Sequence, residues 1–122
     1  MKRLKNYSAI IVLLLFTVSC AYNASMVKVS YNVLAVSSQA YDVSMKTMAD
    51  LDARGLLPRE KKTEIISAAT TYYSNHNSAV ELLAKYQETK DLQDQQLLEH
   101  QLAIMSETLT SLLNLIKPYL ED

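Results

Sequence analysis

A single glycine, Gly55, and two prolines, Pro58 and Pro118, are all that punctuate this chain of 122 residues. A sheet of many strands needs a turn about every ten residues, and Gly and Pro are the residues that most often make them. Long helices need few turns, so helix is the state this composition favours. Apolar residues make up 49% of the chain, enough for a core and too many for a disordered protein. At this length one domain is the limit.

The apolar spacing agrees. From about Ser25 to Arg54, Met26, Val29, Val33, Val36, Ala40 and Val43 alternate in steps of three and four. Tyr31, Leu34, Tyr41, Met45 and Met48 form a second row beside them, and Lys28, Asn32, Gln39, Asp42, Lys46 and Asp50 form the polar face. Gly55 supplies the left-handed residue that commonly ends a helix. Pro58 suits a helix start, where its missing N–H costs nothing. Ile65, Ala69, Tyr72, His76, Ala79, Leu83 and Tyr86 then keep the three-four rhythm, flanked by Ile66, Tyr73 and Val80. Glu81 and Lys85 are spaced for an i,i+4 ion pair. After a polar break at residues 87–90, Asp91 is placed to cap a third helix. Leu98, Leu102, Met105, Leu109, Leu112 and Ile116 carry that helix to Pro118, which disfavours helix at Lys117.

The pattern predicts helices over about 25–54, 58–89 and 91–117 within a body spanning 26–122. Two short connections between rods of similar length make an all-α, antiparallel up-down-up three-helix bundle. The apolar arc of the first helix spans roughly 240°, wider than two neighbours need. Tyr31, Leu34, Tyr41 and Met45 on that arc are therefore candidates for an interaction surface. Leu97, Ile104 and Leu115 widen the third helix in the same way.

The start of the chain is different in kind. Lys2, Arg3 and Lys5 precede an apolar run from Ala9 to Val18, half the length of about 20 residues that a membrane-spanning helix needs. The run ends at Thr17-Val18-Ser19-Cys20-Ala21, and Cys20 is the sole cysteine. This segment resembles the signal peptide and lipobox of bacterial lipoproteins, with Thr17 standing where the pattern more often has Leu, Val or Ile. The resemblance covers about the first 21 residues. It implies removal of residues 1–19, a lipid on Cys20, a short tether over 20–25, and export to a bacterial membrane that holds the protein through that lipid. In a Gram-negative host, Ala21 after the cysteine implies the outer membrane. The Glu88–Asp91 turn would then lie near the membrane, with the Gly55–Pro58 turn and the C-terminus at the far end.

Candidate chemistry is sparse. His76 sits on the apolar face of the second helix, where a neutral histidine bonded to a tyrosine or serine hydroxyl is expected rather than a metal or haem ligand. His100 falls on the polar face of the third. Glu-x-x-His, the signature of di-iron bundles, is missing, because Tyr73 and Leu97 stand three residues before the two histidines. Met26, Met45, Met48 and Met105 lie on apolar stripes and read as core filling. The carboxylates Asp50, Asp52, Glu60 and Glu64 mix with Arg54, Arg59, Lys61 and Lys62 as a solvated cluster. No phosphate loop or nucleophile motif occurs, so no enzyme and no cofactor are expected. Beyond the basic start, nine basic and thirteen acidic side chains leave a net of −4, which offers nucleic acid no footprint. Two functions fit what remains. One is a lipid-anchored interaction module that binds an envelope protein or itself. The other is a carrier or sensor holding a small apolar molecule or a haem near His76.

Overall fold

A computed structural model describes residues 23–120, which form three helices: α1 (Asn23–Ala53), α2 (Arg59–Thr89) and α3 (Leu92–Leu120). Among the described residues there is no strand, and the helices make an up-down-up three-helix bundle of rods roughly 45 Å long. Cross-links of side chains give the directions. Asp52 meets Lys62, Tyr41 stacks on Tyr72 and Tyr31 reaches Gln87, so α1 and α2 are antiparallel. Asn75 meets Gln101 and Tyr86 meets Gln95, so α2 and α3 are antiparallel as well. Ser37 lies against Met105, which leaves α1 running parallel to α3.

Connection chemistry explains where the helices stop. Gly55 has φ 71° and closes α1 with paired bonds: Leu56 N–H donates to the Leu51 carbonyl and Gly55 N–H to that of Asp52. That is the Schellman arrangement, and it depends on the left-handed glycine. Pro58 is the N-cap of α2, its carbonyl accepting from Lys62 N–H at 2.9 Å. Lys90, at φ 53°, ends α2 without a glycine. Asp91 then caps α3 by accepting from Gln93 N–H at 3.1 Å. Two boundaries depart from expectation. α1 begins at Asn23, inside the expected tether, since nothing from Asn23 to Ser25 opposes helix. α3 runs past Pro118 to Leu120. The proline forfeits one backbone bond in the last turn, and Tyr119 and Leu120 pack against the core there.

The core follows the expected rows on α2 and α3. Ile65, Ala69, Tyr72, Ala79, Leu83 and Tyr86 are buried on one, and Leu98, Leu102, Met105, Leu109, Leu112 and Ile116 on the other. α2 and α3 approach each other closely along their length, while α1 stands farther off. The buried face of α1 is turned from the expected one. It runs Met26, Ser30, Val33, Ser37, Ala40, Ser44 and Met48, so a serine enters the core every seven residues. Val43, expected inside, is exposed, and Val29 and Val36 are half-buried.

Candidate functional site

The seam between α1 and α2 is where the bundle leaves apolar surface uncovered. On α2, Ile66, Tyr73 and Val80 recur every seven residues and are 51%, 56% and 44% exposed. Across the seam, Tyr31, Ser38 and Met45 recur at the same interval on α1. Residues seven apart lie nearly on one line along a helix, so these are two lips of one groove. Two open hollows lie along it. One, of about 340 Å³, is lined by Tyr41, Met45, Ile66, Ala69, Thr70 and Tyr73. The other, of about 370 Å³, includes Tyr31, Leu34, His76, Val80 and Leu83.

The four residues expected to form an interaction surface occupy different depths here. Tyr31 is 54% exposed and its hydroxyl donates to Gln87 Oε1 at 3.5 Å. Leu34 is only 7% exposed and belongs to the core, although it floors the second hollow. Tyr41 is half-buried, stacked on Tyr72 with ring centroids 4.9 Å apart and tilted against Tyr73 at 6.4 Å. Burial, then the nearby Asp42 and Tyr73, raise its pKa. Met45 is half-buried against the core. The exposed apolar strip therefore spans two helices instead of one. Its α2 lip, Ile66, Tyr73 and Val80, stood beside the core row in the sequence without being assigned a role. The available signal was the charge-free run from Ile65 to Val80, which faces another from Val29 to Tyr41. On α3, Leu97 is exposed, while Ile104 and Leu115 are half-buried.

His76 is a correction. It is half-buried at the groove rather than central in the core, with its ring 5.8 Å from that of Tyr72. Burial lowers its pKa, opposed by the Leu34 backbone, the Asn77 side chain and the charge of Asp42. His100 is exposed on α3. Among the described residues, no three His, Cys, Asp or Glu side chains gather to hold a metal ion. No described helix is long and apolar enough to cross a membrane. Cys20 lies outside the described residues. No family model, curated protein or solved structure matches the chain.

The polar clusters sit away from the seam's centre. At the α1–α2 turn, Lys62–Asp52 (2.8 Å), Arg54–Asp50 (3.2 Å) and Lys61–Glu64 (3.4 Å) pair on the surface, where such bridges add little stability. At the α2–α3 turn, buried Asp94 accepts from Thr89 Oγ1 at 2.6 Å and meets Lys85 Nζ at 3.5 Å. Lys85 thus turns to Asp94 instead of the expected Glu81. Beside it, Tyr86 donates to Gln95 Oε1 at 2.9 Å. These groups hold the turn's geometry.

Proposed function

We propose that this chain is a small lipoprotein of a bacterial envelope, anchored through a lipid on Cys20, that works as a helical protein-interaction module. One observation carries the second half: exposed Tyr31, Ile66, Tyr73 and Val80 rim two apolar hollows along the α1–α2 seam, and no charged side chain lines either. Loss of charge and enrichment in tyrosine and methionine distinguish the centres of protein interfaces from other surface. The anchor rests on the basic start, the short apolar run and Val18-Ser19-Cys20. Tethering to a membrane concentrates a weak binder near its partner, so a modest groove suffices.

The two halves are tested separately. Cys20→Ala should abolish acyl labelling and detergent partitioning, and normal processing with continued membrane attachment refutes the anchor. Tyr31→Glu and Tyr73→Glu lie on exposed lips, so both should keep the helical spectrum and lose captured protein after cross-linking in intact cells. Capture unchanged in both refutes the module.

A second reading has one observation in its favour. The hollow beside His76 is apolar, lined by Leu34, Val80 and Leu83, and its size is near the lower limit of small-molecule sites. A carrier of a small apolar molecule should copurify with lipid or a chromophore and lose it on Val80→Glu.

A further inference from the structure

We propose that the occupant of the α1–α2 groove is a second copy of this chain, paired in parallel about a twofold axis along the bundle. This rests on the reading of the groove as an interaction face and names its partner. Each lip is a seven-residue row, the interval at which one helix pair presents side chains to another. The α2 row runs Arg59, Ile66, Tyr73, Val80, Gln87, and the α1 row runs Tyr31, Ser38, Met45, Asp52. Their central members are uncharged, so the rows themselves bring no like charges together at mid-height. Each row carries one charge, and both charges lie at the end near the α1–α2 turn, basic on α2 and acidic on α1.

Those end charges select the arrangement. A twofold along the bundle sets the α2 row of one copy beside the α1 row of the other at the same height. Arg59 then faces Asp52, whose carboxylate already receives Lys62 at 2.8 Å across the intramolecular version of the same seam. Because height is kept, the levels seen within one copy recur between copies: Tyr73 with Tyr41, Ile66 with Met45, and Val80 with Ser38. The alternative twofold, across the bundle, sets α2 on α2 and α1 on α1 in opposite directions. It places Arg59 against Gln87 and Asp52 against Tyr31, with neither charge matched. The parallel pair makes a second four-helix core from α1 and α2 of both copies, in which every neighbour is antiparallel. It is isologous and closed, so association stops at two. It also leaves both α1 N-termini at one end, as two chains anchored to the same membrane require.

The experiment uses the full chain in the membrane of the cell that makes it. A photoreactive benzoylphenylalanine replaces Ile66, Tyr73, Val80 or, as a control on the exposed face of α3, Ser111. Each variant's helical content is checked by circular dichroism. Illumination should give a band of twice the monomer mass from the first three positions and none from Ser111. Mass mapping should place the adduct from position 66 near Met45 of the second copy, and that from position 80 near Ser38. A band from none of the three, or equally from Ser111, overturns the proposal. An adduct from position 66 near Val80 of the second copy overturns the parallel pairing. Adducts from the three seam positions to a different protein overturn the second copy while upholding the groove as an interaction face. No adduct of any mass from the seam, in folded variants, overturns both.

Discussion

Two hydroxyls in the interior, on Ser30 and Ser44, find no hydrogen-bond partner among the described residues. Ser37 escapes by donating to the Leu34 carbonyl at 3.1 Å. An unsatisfied buried hydroxyl carries its desolvation cost with no return, and serine is a poorer helix former than alanine. Ser44→Ala should therefore stabilise the protein by about 1 kcal/mol, read as a raised denaturation midpoint with unchanged slope. A fall in stability would mean that the hydroxyl holds a bridging water. Tyr72 gives a second test through pH. Burial pushes its pKa up to about 12, against 10.0 for an ordinary tyrosine, with Tyr41 and Asp42 adding and Ser37 opposing. The folded state therefore holds the phenolic proton longer than the unfolded chain does. Its contribution is fully present below pH 10 and is lost as pH rises towards 12, by on the order of 2 kcal/mol. Tyr72→Phe should flatten that part of the stability profile. His76 acts in the opposite sense: with its pKa lowered by burial, it favours the fold above pH 6.5 and loses that contribution on acidification.

At the scale of elements, connections and core rows were legible for a common reason: each depends on a residue type with one dominant use. Gly55 takes positive φ, Asp91 caps, and leucines at three-four spacing on α3 are all inside. Gly55→Ala should cost about 1 kcal/mol. An added Cβ meets nothing within 4 Å, so the whole cost is backbone conformation. Asn at the same position should recover part of it, since Asn tolerates the left-handed region. Thermal melts of the two variants check both. Where the reading of α1 failed, residue type was ambiguous. The apolar rhythm draws the inward face through Val29, Val36 and Val43 and assigns Ser30, Ser37 and Ser44 to neither face. The bulk of Tyr72 and Met105 facing α1 lets small side chains fill those sites, and only the packed structure reveals that match. The groove was half legible for a related reason. The wide apolar arc on α1 marked one lip, but pairing it with Ile66, Tyr73 and Val80 needed the rotation of α2 about its axis.

Taken as a whole, the bundle is asymmetric in how firmly its helices are held. α2 and α3 lie close together and share a turn fixed by Thr89, Asp91 and Asp94, with Asn75–Gln101 bonding farther along. α1 stands off, offers three serines and an alanine to the interior, and leaves half-open hollows against α2. Small side chains bury less apolar area, at about 25 cal/mol for each square ångström, so α1 is held less strongly than the other two. Local stability in a folded protein is uneven in this way, and segments with fewer buried apolar contacts open at lower free energy. Native-state hydrogen exchange should show α1 amides exchanging through an opening that leaves α2 and α3 protected. Filling the groove should close that difference. If the seam receives a second copy, α1 is packed on both sides, between α3 and the second copy, and its protection should rise with protein concentration while that of α3 changes little. Protection equal in all three helices at every concentration would mean that the bundle opens only as one unit, with neither a weaker helix nor a partner that stabilises it.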